Sequence, residues 1–234
     1  MNILRCTLFV VLLALVLGVG CGGGREEAKA PTSSVMTTLT NAAPQAIATP
    51  KAGPKVKESI EAEKGFAETK AKAEAGDADA QLRLSGMYYK GAGVEKNEKE
   101  ALKWCRKAAE QGNADGQYGL GIAYSEDFGV EKNAKESFKW FRKSADQNYA
   151  IAQFILGKLY FLGGLVVEKD EKEAVKWYRK AAEQNFASAQ FILGTIYERG
   201  HGAEKNEKEA VKWYRKAAEK GHEDAKAALK KLSQ

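Results

Sequence analysis

Residues 149–185 read YAIAQFILGKLYFLGGLVVEKDEKEAVKWYRKAAEQN, and residues 186–221 read FASAQFILGTIYERGHGAEKNEKEAVKWYRKAAEKG. Laid over one another, the two stretches agree at most positions, the first carrying one extra residue inside Gly163–Val167. The same pattern, with more drift, runs through 113–148 and 77–112. Four tryptophans mark the register: Trp104, Trp140, Trp177 and Trp213 stand 36, 37 and 36 residues apart. A fixed period of this length belongs to a stacked array. One such unit cannot bury its apolar face alone, and neighbours bury it together.

Each unit holds two helical patterns, an A helix followed by a B helix. The A helix of the first unit places Ala80, Leu84 and Tyr88 on one face, at i, i+4 and i+8. Its equivalents are Gly116, Leu120, Tyr124; Ala152, Leu156, Tyr160; and Ala189, Leu193, Tyr197. A small residue follows the leucine each time: Ser85, Gly121, Gly157, Gly194. A mid-helix glycine costs about 1 kcal/mol relative to alanine, so its return implies close approach of a neighbouring helix. Gly91, Gly163 and Gly200 end the A helix, and Asp127 takes that place in the second unit. The B helix opens at Asn97, Asn133, Asp170 and Asn206, each followed three residues later by glutamate: Glu100, Glu136, Glu173, Glu209. This resembles a capping box. The B helix then carries the tryptophan and a small pair (Ala108-Ala109, Ser144-Ala145, Ala181-Ala182, Ala217-Ala218). It closes at Gly112, Asn148, Asn185 and Gly221.

The combined pattern is Ala-x-x-x-Leu-Gly-x-x-Tyr-x-x-Gly, then Lys-Asn/Asp, then Ala-x-x-Trp-x-x-Lys-Ala-Ala. It resembles the Sel1-like repeat, a member of the tetratricopeptide-like group, and the resemblance covers residues 77–221. Departures are Gly86, where other units have Ile122, Lys158 or Thr195, and the insertion in the third unit. The resemblance implies an all-α fold, a right-handed α/α solenoid whose repeats are 77–112, 113–148, 149–185 and 186–221. It also implies that the A helices line the concave surface and that the protein is a binding scaffold. Residues 56–76 read as a leading B-type helix and 222–234 as a closing helix, capping the exposed ends as a solenoid requires.

Residues 1–20 read as an export signal. Arg5 supplies positive charge, and Leu8–Leu17 is an unbroken apolar run too short for a bilayer core that needs roughly 20 residues. Cys21 follows Gly18, Val19 and Gly20. The segment resembles the lipobox of bacterial lipoproteins, although Gly18 stands where a large apolar residue is usual and Leu17 falls one place early. Lipidation of Cys21 would anchor the protein on a membrane without spanning it. Without it, the small residues suit ordinary cleavage and secretion. Residues 21–55 hold all four prolines, Gly22–Gly24 and no aromatic residue. That composition reads as a disordered tether with an end-to-end distance of roughly 30 Å. The expected location is the cell envelope, on the periplasmic side of a bacterial membrane.

Lys plus Arg outnumber Asp plus Glu by 37 to 31. Glutamate sits beside lysine almost throughout, so the pattern reads as a solvated surface and not as a nucleic-acid footprint. His201 and His222 lack further ligands at zinc spacing. No phosphate loop, His-Glu-x-x-His, Gly-x-Ser-x-Gly or Ser-x-x-Lys occurs. No cofactor is expected, and no catalysis. Cysteine-rich relatives of the Sel1-like group carry paired cysteines and have been linked to β-lactam hydrolysis, but this chain lacks the pairs. Cys105 reads as a small apolar filler, and the tryptophans as packing between helices. Lys103, Lys139, Lys176 and Lys212, with Arg106, Arg142, Arg179 and Arg215, read as an outer face paired to nearby glutamates.

One further ladder is a candidate partner-binding site. Leu82, Tyr118, Phe154 and Phe191 share one A-helix position, two residues before the core leucine and about 200° around the helix from it. As an exposed stripe flanked by Ile122, Ile151, Lys158 and Arg199 it would anchor a partner protein or peptide. As internal packing it would fill gaps between adjacent A helices. The expected function is an exported, membrane-anchored adaptor acting through its concave face. The alternative is an envelope hydrolase or cell-wall glycan-binding protein.

Overall fold

In a computed structural model, residues 54–232 are described. The signal, Cys21 and residues 21–53 of the tether lie outside them. Every described element is helical: α1 (Pro54–Glu74), α2 (Ala78–Lys90), α3 (Glu98–Glu110), α4 (Ala114–Glu126), α5 (Ala134–Asp146), α6 (Ala150–Leu162), α7 (Glu171–Glu183), α8 (Ala187–Arg199), α9 (Glu207–Glu219) and α10 (Glu223–Leu232). Helices α2, α4, α6 and α8 are the A helices; α3, α5, α7 and α9 are the B helices. Each packs principally on the helix before it and the helix after it, so the fold is an α/α repeat solenoid.

Local chemistry sets the helix ends. The Oδ1 atoms of Asn97, Asp170 and Asn206 accept the backbone N–H three residues on, at 3.0, 2.9 and 3.1 Å. Asn133 does the same at 3.1 Å. The reciprocal half of a capping box is missing. The backbone N–H of Asn97 donates to the Tyr88 carbonyl at 2.9 Å. Glu100 instead pairs with Lys103 at 3.1 Å. Bonds equivalent to the first tie Asn133 to Tyr124, Asp170 to Tyr160 and Asn206 to Tyr197. They close every A-to-B loop between the same two points. At the end of α4, Asp127 takes the left-handed conformation (φ 60°) that Gly91 and Gly200 supply in the first and fourth units, whereas Gly163 keeps a positive φ (68°) with an extended ψ (−178°).

The core runs along the array. Leu84, Leu120, Leu156 and Leu193 are fully buried, and all four tryptophans are buried. The ammonium of Lys107, Lys143, Lys180 or Lys216 lies 4.1 to 4.5 Å from the centroid of the tryptophan three residues earlier. The mid-helix glycines have the expected cause. A Cβ on Gly121, Gly157 or Gly194 would stand 2.7, 2.7 or 2.5 Å from the ring of Phe141, Tyr178 or Tyr214. In the first unit the ring position is Cys105 and the glycine position is Ser85, whose hydroxyl donates to the Ala101 carbonyl at 2.7 Å. A smaller partner on one helix goes with a larger residue on the other.

A second ladder is polar and buried. The side-chain amides of Gln81, Gln117, Gln153 and Gln190 donate to the carbonyls of Ala73, Ala109, Ala145 and Ala182 at 3.0 to 3.2 Å. The first three accept in turn from Gln111, Gln147 and Gln184 at 2.7 Å. These bonds staple each A helix to the helix before it, and the first three also to the end of their own B helix.

Candidate functional site: the face of the A helices

The A helices carry Leu82, Tyr118, Phe154 and Phe191 at one repeated position, and two neighbours close over it. One is the ring on the B helix of the same unit. Tyr118 lies 5.9 Å from Phe141, Phe154 lies 5.5 Å from Tyr178, and Phe191 lies 5.7 Å from Tyr214. The other is the residue capping the next A helix: Tyr149 at 5.4 Å from Tyr118, Phe186 at 5.2 Å from Phe154, and His222 stacked at 4.6 Å on Phe191.

The expectation of an exposed stripe is therefore corrected in part. Tyr118 and Ile122 are each only 5% exposed and are core residues of the array. The reason is tertiary. Two residues along a helix turn a side chain away from its own core face, but the next repeat brings a new ring to that side. Leu82, Phe154 and Phe191 are half-buried, with one edge open, and Lys158 is exposed. Of the flanking residues, Ile151 is half-buried and Arg199 is exposed.

Sequence reasoning missed the capping rings. Tyr149, Phe186 and His222 stand where Asp77 and Asn113 cap the first two A helices with their side chains. Tyr149 and Phe186 make no side-chain cap bond. An aromatic residue at a capping position was the available signal, since it gives up a hydrogen bond and so must contribute packing. The glutamine ladder was missed too, although glutamine recurs between the core alanine or glycine and the aromatic position in every unit.

The outer face of the B helices is charged and locally paired. Lys103, Lys139, Lys176 and Lys212 bridge the glutamate three residues before them at 2.8 to 3.3 Å. Arg142 bridges Asp146 at 3.1 Å. Arg179 donates to the Tyr197 hydroxyl. Cys105 is buried, and its thiol donates to the Gly116 carbonyl at 3.4 Å. Burial pushes that thiol up to about 12. The two histidines lie apart: His201 sits 4.0 Å from Glu171, and His222 stacks on Phe191. Among the described residues no group of three or more His, Cys, Asp or Glu could hold a metal ion. No helix among them is long and apolar enough to cross a membrane.

Comparison with known proteins agrees with the geometry. The Sel1 repeat family model matches residues 78–113, 114–149, 150–186 and 187–222, together more than half the chain. The chain belongs to the Sel1 repeat family. Among solved structures it is similar to a Sel1 repeat protein from Oxalobacter formigenes, at 36% identity and a TM-score of 0.70, covering 73% of this chain and 49% of that one. It is also similar to a protective antigen of uropathogenic Escherichia coli strains displaying an SLR fold, at 39% identity and a TM-score of 0.64, covering 67% of this chain and 33% of that one. The chain thus spans about half the length of the first and a third of the second. No curated protein matches it. The Sel1 repeat solenoid is generally a scaffold for protein–protein interaction and typically non-catalytic.

Proposed function

We propose that this protein is an exported adaptor, tied to a membrane through Cys21, that binds another protein along the face of its A helices. The supporting observation is that Leu82, Phe154 and Phe191, at one register position of the first, third and fourth A helices, are half-buried, with Lys158 exposed one turn from Phe154. Partly exposed aromatic edges give contact area at low entropic cost, and a flanking ammonium adds register. Tyr118 and Ile122 support this face from within. Export and anchoring rest on the sequence before residue 54.

A photo-reactive amino acid at Lys158, compared with one at Lys176 on the B-helix face, tests the reading in the native envelope. The expected result is one discrete adduct from position 158 and none from 176. The adduct should weaken when Phe191→Ala is added in a variant whose circular dichroism is unchanged. Equal labelling from both positions rejects the A-helix face. Metabolic labelling with a radioactive fatty acid, lost in Cys21→Ser, tests the anchor separately.

A further inference from the structure

The array breaks its period at one place. The bond closing each A-to-B loop spans nine residues in three units, from Tyr88 to Asn97, Tyr124 to Asn133 and Tyr197 to Asn206. In the third unit it spans ten, from Tyr160 to Asp170. With both ends held, the extra residue must bulge outward. The tip is closed on itself by the Gly164 N–H donating to the Val167 carbonyl at 2.9 Å. Leu165 projects 99% exposed, and Leu162 at the end of α6 is 62% exposed. They are the large exposed hydrophobic side chains among the described residues.

The loop is also lifted off its neighbour. Gly93, Gly129 and Gly202 press against the B-type helix of the preceding unit, at Ala62, Glu98–Leu102 and Glu171. In the third unit Leu165 holds that position, and it is 99% exposed. At the other two junctions a ring pair bridges consecutive loops: Tyr89 with Phe128 at 5.2 Å, and Phe161 with His201 at 6.1 Å. Here the equivalent pair is Ser125 and Gly164. The outcome is an open apolar groove of about 260 Å³ beneath the tip, floored by Phe138, Phe141 and Leu159.

The position of this feature identifies its occupant. All A-to-B loops lie on one edge of the array, with the N-termini of the B-type helices. Gly93 packs on Ala62, which makes α1 such a helix. From Ala62 to Pro54 it runs on past that edge by about 12 Å. Helix α1 therefore begins on the side that carries Leu165. Each A-to-B loop on this edge has at least as many acidic residues as lysines, and Lys96 pairs with Glu98 and Lys169 with Glu171, both at 2.8 Å. What the edge offers is apolar contact, not net charge.

We propose that the Leu162–Val167 segment is a lipid-contacting tip that lays this edge of the array on the membrane surface. The inference rests on the anchor reading of Cys21. An anchored tether keeps the tip at high local concentration near the lipid, so a contact of two leucines suffices to populate a docked state. Docking also fixes the array's orientation, leaving the A-helix face open sideways to a partner.

The test uses the full chain with Leu165→Cys carrying an environment-sensitive fluorophore. A matched probe replaces Glu183, exposed at the opposite edge, and the unsubstituted chain carried through labelling is the blank. Cys105 is buried and does not compete. Vesicles contain phosphatidylethanolamine and phosphatidylglycerol, with or without acyl-chain spin labels. The expected result is a blue shift at position 165, quenched severalfold by the spin-labelled lipid and abolished by adding Leu162→Asp, with no change at position 183. A water-like spectrum at 165 on a chain that floats with vesicles overturns the tip and leaves the anchor standing. A water-like spectrum on a chain that neither floats nor takes up fatty acid overturns both. A blue shift that ignores spin-labelled lipid and grows with protein concentration also overturns it, since a second copy then fills the groove. A lipid-quenched shift on a chain that takes up no fatty acid keeps the tip and removes the anchor.

Discussion

Gly157 and Gly86 sit in equivalent A helices, one residue apart in register, and chemistry separates them. A Cβ on Gly157 would come 2.7 Å from the Tyr178 ring, whereas one on Gly86 meets nothing within 4 Å. Gly157→Ala sets about 1–3 kcal/mol of overpacking against about 1 kcal/mol of helix propensity, and a net loss of stability is expected. Gly86→Ala has only the propensity term and is expected to gain about 0.5–1 kcal/mol. Paired denaturant melts of the two variants check the sign of each. Tyr214 gives a pH prediction. Burial, then its hydrogen bond to Glu198, pushes its phenol up to about 12. A folded-state value raised above the unfolded one holds the proton in the native state. That stability is complete below about pH 10 and is lost as pH rises through about 12. Tyr214→Phe should flatten that alkaline loss in melts followed from pH 9 upward.

At the scale of the helix pair, the glutamine ladder fails at one rung. Gln190 is 1% exposed, and its Oε1 has no donor. Gln111, Gln147 and Gln184 supply that donor in the first three units, and Lys220 holds the position in the fourth. A buried acceptor left unmatched costs about 1–3 kcal/mol. Lys220→Gln is expected to stabilise the fourth unit by about 1 kcal/mol, read as a rise in the chemical denaturation midpoint. Gln153→Leu should have the opposite sign, because it removes the hydrogen bonds that Gln153 donates to the Ala145 carbonyl and Asn148 Oδ1 and the one it accepts from the Gln184 amide. The helices themselves were legible in the repeats, since core positions recur at helical spacing in every unit and each B helix opens on an Asn or Asp cap. The ladder was less so. A glutamine beside a core leucine looks like surface until the end of the B helix is folded back onto it.

Across the whole molecule, contacts between helices are sequential, so stability adds along the array and is weakest at its ends. Helix α10 is a fifth A-type helix, whose Ala225 is fully buried against the cluster of Tyr214 and Ala217. The small-residue position after its core Leu229 is Lys230. Ending the chain at Gly221 is expected to expose Tyr214 and to raise hydrogen exchange in α8 and α9 while leaving α3 to α5 unchanged. Uniform loss of protection would show instead that the array unfolds as one unit.

The amino-acid sequence alone determined the period, the B-helix N-caps and the core leucines and tryptophans. Each of these depends on residues within one repeat, where local spacing is enough. It also marked the Gly163–Val167 insertion as an interruption. Tertiary structure decided which repeated residues are open. Tyr118 and Phe154 share a register position and each is flanked by two rings, yet one is buried and the other half-buried, a difference the repeat pattern does not carry. Tertiary structure likewise decided that Leu165 projects from the edge where α1 begins. That follows from two fixed loop ends and one residue too many, a relation between distant hydrogen bonds that no single repeat contains.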